Sequence, residues 1–295
     1  MNKVKFITCI YSELSGTEFG GRSSRGGHYR WSLLSLLKMT DADFICYTSE
    51  SEFDSLNNFY FEQNNINKNQ LTIKIFDLRS SDFFDRLIKI KQKNIDQYKL
   101  WDRCLEIQYN KFYWFDEEDK SYDYYFWIDA GLSHCGLLPN KWLTHRENYE
   151  SQWYLTDVFD NNFLKNLLDF TKDRFFIIAK DNVNNYWSGT VDSRYYIEFN
   201  KDYHVIGGLF GGKKDIFHET VYLFKNYLNL LLDDEQTPME ENILSLMNVN
   251  HPEIFVRKYF DVWWCSDNAP SGLGEDFFEK NKSFYKIIEE LISDE

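Results

Sequence analysis

Three groups of residues have the types and spacing that chemistry needs. The first centres on Asp129, which ends the unbroken apolar run Tyr124, Tyr125, Phe126, Trp127 and Ile128, with Gly131 two residues on. A carboxylate closing a strand that is buried on both faces is costly unless something pairs with it. A ribose hydroxyl would serve, and so would a divalent cation, since Mg²⁺ and Mn²⁺ favour oxygen ligands. Asp is also a frequent turn starter. His134 is a further candidate ligand, or a surface or packing residue. The second group is "YHVIGGLFGG", residues 203–212. Glycines inside a strand mark a bulge or the close approach of a ligand to backbone; a tight strand-to-helix turn is the alternative. The spacing GGxxGG is neither a dinucleotide fingerprint nor a phosphate loop. The third is the acid pair Glu240 and Glu241. Thr237, Pro238 and Glu240 are spaced as N-cap, N1 and N3 of a helix, a capping box that would fold Glu240 back on the Thr237 amide. Glu241 has no such role and is the candidate catalytic carboxylate. The upstream run Asp233, Asp234 and Glu235 reads as a solvated acidic loop.

The elements that must position these groups alternate between strand and helix. "KVKFITCIY", "ADFICYT", "LTIKIFDL", "YYFWID" and "RFFIIAK" read as strands, as does the segment around 203–212. "EIFVRKYFDVWW" reads as one long strand or a pair. Helical spacing appears over 28–39, over 82–112 with a break near Asn94, and over 152–173, 214–232, 237–247 and 275–293. Strand–helix alternation with short connections predicts an α/β fold with a mostly parallel sheet. In such sheets ligands bind beyond the carboxyl ends of the strands, and Asp129 stands at one of those ends.

Composition narrows the function classes. The chain has 295 residues, of which 43% are apolar and 19% aromatic, so a large core is affordable. A formal net charge of −14 opposes broad, non-specific nucleic-acid binding, which needs an excess of Lys and Arg, but leaves room for a local basic groove. Five scattered cysteines with no CxxC pair indicate neither a structural zinc site nor a disulfide framework, and a reducing cytoplasm is the simplest compartment. No apolar run has the length of a membrane span. Four prolines and no Ser/Gly tract predict one continuous domain over 1–295.

Taken in order, these features resemble glycosyltransferases of the GT-A type, in which a DXD-like strand end precedes an FGG-like segment and then an acid pair. The stretch "YHVIGGLFGGKKDIF…EENILSLM" is similar to the FGGT…HDESHLN region of the blood-group and α-1,3-galactosyltransferases. Asp129 with Gly131 is similar to the single-Asp strand end of the HtrL-like bacterial glycan-biosynthesis proteins. The resemblance implies a GT-A-like, Rossmann-type mixed sheet, largely parallel and flanked by helices. Residues 1–131 would be the nucleotide-binding half and 132–295 the acceptor-binding half.

On the same resemblance, Asp129, Gly131, Arg30, Arg25, Tyr11, Gly208 and Gly211 would meet a nucleotide-sugar donor such as a UDP-sugar. Asp129 would hold Mn²⁺ or Mg²⁺. Glu241, with Glu240 beside it, would be the catalytic carboxylate, and the acceptor a glycan hydroxyl. Gly131 stands where a DXD motif has its second acid, which leaves the metal to Asp129 alone or to a residue near His134, His251 or Asp267. Arg22 joins Arg25 and Arg30 as a phosphate candidate, with Lys99 and Arg103 weaker ones; solubility is the alternative for each. Tyr186, Trp187, Trp263 and Trp264 suit stacking on a sugar or base, or the core. Two other functions fit the same residues: a bacteriophage enzyme glycosylating hydroxymethylated DNA bases, and a non-catalytic carbohydrate- or nucleotide-sugar-binding protein.

Overall fold

The structure, a computed structural model, describes residues 2–11, 26–93, 105–116, 121–130, 161–180 and 205–260. Gly131, His134, Arg22, Arg25, Lys99, Arg103, Tyr186, Trp187, Trp263, Trp264 and Asp267 lie outside those residues, as does the expected helix at 275–293.

Among the described residues, seven strands form one sheet. They are β1 (Val4–Ile10), β2 (Asp43–Thr48), β3 (Leu71–Ile75), β4 (Tyr124–Ile128), β5 (Phe175–Lys180), β6 (Val205–Lys213) and β7 (Phe255–Phe260), in the spatial order β3-β2-β1-β4-β6-β5-β7. β1 pairs in parallel with β2 and β4, β2 with β3, and β5 with β7. β6 runs antiparallel to both its neighbours, β4 and β5. The sheet is therefore mixed and mostly parallel, as the strand–helix alternation predicts.

Helices cover both faces. On one face lie α1 (Gly26–Met39), α2 (Glu50–Asn57) and α5 (Asn161–Thr171). Leu33 and Leu37 of α1, Leu56 of α2 and Phe163 and Leu167 of α5 share a core there with Phe6, Phe44, Phe126 and Ile128 of the sheet. On the other face lie α3 (Phe84–Lys93), α4 (Leu105–Asp116), α6 (Lys214–Asp233) and α7 (Glu240–Asn250). Their core residues include Leu87, Phe112, Phe224 and Ile243, packed on Tyr125, Trp127, Phe175 and Phe210. Residues of β4 thus alternate between two cores, which is why the strand is apolar throughout.

α2 runs straight into a π-helical turn, Asn58–Gln63, whose Phe59 and Tyr60 are buried. One alternative is corrected: the glycine pairs do not form a strand-to-helix turn. All four lie inside β6, and α6 follows at Lys214 without a connecting loop.

Three of the four glycines stand where a side chain would be crowded, Gly207, Gly211 and Gly212. Gly211 faces Phe126 of β4 on one side and Phe176 of β5 on the other. A Cβ there would lie 2.2 Å from the Tyr125 carbonyl oxygen and 2.6 Å from Phe126 Cα. Its φ of +154° is one that side-chain-bearing residues rarely adopt. At Gly212 a Cβ would meet the Arg174 carbonyl oxygen at 2.8 Å. Nearer the start of β6 the pairing with β5 jumps from Phe176↔Gly211 to Ile178↔Ile206, so Gly207 and Gly208 fall in a bulge. Gly211→Ala combines a backbone clash with a strained dihedral and should cost about 3 kcal/mol or more, read as a lowered denaturant midpoint. An unchanged midpoint would mean that β6 follows another course.

Candidate active site

The antiparallel direction of β6 decides what surrounds Asp129. Its first residues lie beside the last residues of β4, with Ile128 paired to Leu209. The Asp129 amide donates to the Gly208 carbonyl at 2.8 Å, which extends the ladder one residue past the strand. The bulge therefore sits at the carboxyl end of β4. Parallel partners diverge here, because the chain leaves β1 for β2 on one side and later returns as β4 on the other. Such a switch point forms a crevice in open α/β sheets.

Asp129 points to the α4 face, as Trp127 does two residues earlier. The Trp127 Nε1–H donates to Asp129 Oδ1 at 2.8 Å. The same oxygen lies 3.1 Å from Nζ of Lys111, which reaches across from α4. Lys111 also donates to Glu240 Oε1 at 2.7 Å and to the Gly207 carbonyl at 2.9 Å. Its ammonium sits 5.1 Å from the Trp127 ring centroid. The second oxygen of Asp129, Oδ2, has no partner among the described residues, and the side chain is 34% exposed.

α7 supplies the acid pair. Glu240 is the first helical residue and is buried. Its carboxylate fills the space beside Gly207, where a Cβ would lie 2.3 Å from Glu240 Oε1. The Glu241 carboxylate accepts the Gly207 amide at 3.0 Å and is half-buried. One glycine thus gives its carbonyl to Lys111 and its amide to Glu241. The start of α7 is held from α4 as well, where the Tyr109 hydroxyl donates to the Pro238 carbonyl at 2.6 Å.

This geometry corrects the capping box. Met239, not Thr237, is the N-cap, and Asn242 Oδ1 accepts the Met239 amide at 3.1 Å. Glu240 does not fold back on Thr237. The reason is tertiary: an ammonium from another helix outcompetes a local amide for a carboxylate.

Charge is unevenly shared. Burial alone would push the Lys111 ammonium down, but Asp129 and then Glu240 outweigh it and hold it above the ordinary lysine range. Burial pushes the Glu240 carboxyl up; Lys111 pulls against it, and Glu241 and Asp129 push it further up, with a net rise.

The other sequence candidates fall elsewhere. Arg30 of α1 donates to Ser55 Oγ of α2 at 2.9 Å and lies 3.9 Å from Glu52. Tyr11 follows β1, but its hydroxyl donates to the Phe76 carbonyl at 2.9 Å and its ring stacks on Trp114. Gly211 sits in the body of β6, where packing explains it. His251 caps the far end of α7, about 16 Å along the helix from Glu240. Sequence reasoning missed Lys111. Its one signal was a lone cation within the aromatic run "YNKFYWF".

Among the described residues, no group of three His, Cys, Asp or Glu converges to hold a metal ion. One carboxylate oxygen, Asp129 Oδ2, is open to one. That fits the habit of Mg²⁺, which is often held by one or two carboxylates with phosphate and water completing the shell. No helix among the described residues is long and apolar enough to cross a membrane.

No protein-family model matches the chain, and no curated protein matches it. Among solved structures it is similar to the apo form of mouse xyloside xylosyltransferase 1, at 9% identity over 95% of this chain and 93% of that one, with a TM-score of 0.49. It is also similar to 4-diphosphocytidyl-2C-methyl-D-erythritol synthase from Anaerococcus prevotii, at 11% identity over 96% of both chains and a TM-score of 0.45.

The raised Glu240 carboxyl has a pH signature. A carboxyl whose folded pKa is raised contributes most below its ordinary value of 4.5, and that contribution is lost as pH climbs through the raised value. Glu240→Gln keeps an oxygen for Lys111 and cannot titrate. The variant should therefore gain stability relative to the parent as pH rises above the ordinary carboxylate value of 4.5, seen in paired urea midpoints. A constant difference would mean that Glu240 titrates as an ordinary carboxylate.

Proposed function

We propose that this protein is a glycosyltransferase that moves a sugar from a nucleotide-diphosphate donor to a hydroxyl of a glycan acceptor. One observation carries the reading. The carboxylate that ends β4 and the acid pair that opens α7, more than a hundred residues apart, meet at a backbone bulge at the carboxyl end of a mostly parallel sheet. That crevice is where nucleotides bind in open α/β sheets. The convergence also matches the order of features in the GT-A resemblance.

In this reading Asp129 Oδ2 faces the diphosphate or ribose end of the donor. A divalent ion held there by Asp129 would supply charge neutralisation to the diphosphate leaving group. Glu241 lies across the bulge, near the anomeric carbon. Transfer forms a bond from the acceptor oxygen to that carbon and breaks the bond to the diphosphate oxygen, and the hydroxyl proton leaves to a base. Glu241 acts either as that base or as the negative charge that stabilises an oxocarbenium-like state.

A thermal-shift screen with UDP, GDP, CDP and ADP, each with and without Mn²⁺, tests the donor class, because a ligand that binds only the folded state raises the melting temperature. At least one should raise it, and Asp129→Asn should show no such shift from its own unliganded melt, which should itself lie below the parent's because Lys111 loses a counter-charge. Glu241→Gln retains an acceptor for the Gly207 amide. It should melt as the parent does and lose about two orders of magnitude in turnover. No shift with any nucleoside diphosphate would remove the transferase reading, and a fully active Glu241→Gln variant would remove this carboxylate from the chemistry.

A further inference from the structure

We propose that Lys111 is the positioning residue of this site: an internal cation that fixes Asp129, Glu240 and the β6 bulge in one arrangement and leaves a single carboxylate oxygen of Asp129 for the donor. The inference deepens the transferase reading and rests on it for the identity of the donor.

Valence carries the argument. An ammonium has three N–H donors, and Lys111 meets three acceptors: Glu240 Oε1 at 2.7 Å, the Gly207 carbonyl at 2.9 Å and Asp129 Oδ1 at 3.1 Å. Nothing remains for a phosphate or a sugar. The side chain is 7% exposed, so water does not compete for those donors. Lys111 therefore acts through the groups it holds.

Each of the three contacts fixes a different part of the site. On Asp129, Lys111 and Trp127 Nε1 share Oδ1, which fixes that oxygen and leaves Oδ2, with no partner among the described residues, to meet a metal–diphosphate or a hydroxyl. On Glu240, the contact pins the first residue of α7, and with it the adjoining Glu241. On Gly207, it holds the carbonyl of the residue whose amide binds Glu241, so the peptide units on both sides of the bulge keep their orientation. Charge points the same way. Three carboxylates, Asp129, Glu240 and Glu241, crowd one end of the sheet, and Lys111 favours the charged form of Glu240 where burial and the other two acids oppose it. Without it, like-charge repulsion would drive the carboxylates apart.

The test uses two independent readouts. The first is donor binding and turnover in Lys111→Ala, with UDP, GDP, CDP and ADP as calorimetric probes. Binding of whichever nucleoside diphosphate the parent takes should weaken at least tenfold. Turnover should fall at least a hundredfold. Added ethylammonium should restore both in a saturable way, and sodium at equal ionic strength should not. A lysine that merely packs would show no such rescue, so its absence in a folded variant overturns the proposal. The second readout is melting temperature and needs no donor. Lys111→Met should melt about 10 °C below the parent, because it leaves the buried Glu240 carboxylate and the half-buried Asp129 without their shared cation. Adding Asp129→Asn and Glu240→Gln to Lys111→Met should recover more than half of that loss. A triple variant that melts no higher than Lys111→Met overturns the proposal. A parent that binds none of the probes overturns the transferase reading, while the melting comparison still decides the role of Lys111.

Discussion

A buried ammonium sets the terms for this molecule. Taking Lys111 out of water costs several kcal/mol, and that cost is met only where good acceptors converge on it. Three do, from three separate segments: the end of β4, the bulge of β6 and the first turn of α7. α4 brings the cation, and Tyr109 on the same helix secures Pro238 just before α7. Four pieces of chain that have no local reason to meet are thus held to one point. Breaking such a cluster by removing one partner is far more damaging than replacing it whole.

The glycines of β6 follow from that convergence. Side chains of a strand ordinarily stand above and below the sheet. At Gly211 the positive φ would instead aim a Cβ into the Tyr125–Phe126 backbone of β4, and at Gly212 a Cβ would press on the Arg174 carbonyl. At the other end of the strand the filling group is a carboxylate, since Glu240 occupies the volume a side chain at position 207 would need. Gly211 and Gly212 answer to packing, and Gly207 to the site.

The aromatic richness of the chain has a matching use. Trp114 of α4 stacks on Tyr47 at 4.9 Å and on Trp127 at 5.9 Å, and Phe112 stacks between Phe210 and Phe224 at 5.0 and 3.8 Å. These contacts seat α4 rigidly on the sheet, and offset aromatic pairs add stabilisation beyond the area they bury. Trp127 does more than pack: its ring lies beneath the Lys111 ammonium and its N–H holds Asp129. Core and site are continuous at this residue.

The alternation of strand and helix patterns determined the α/β class and the mostly parallel sheet, because hydrophobic periodicity is a local property that survives in the sequence. The same locality marked Asp129, the glycine pairs and the acid pair as unusual, each being a residue that its own surroundings would not select. The sequence did not show what those residues do for one another. Local rules assigned Glu240 to a cap on Thr237, yet its carboxylate belongs to Lys111, 129 positions away in the chain. Lys111 itself looked like a stray cation in an aromatic helix, since nothing near it in sequence is its partner. The direction of β6 was equally hidden, because a buried strand reads the same for either orientation. It was the tertiary structure that ran β6 backwards beside β4, and so brought a glycine bulge, two acids and one ammonium to the end of the strand where Asp129 stands.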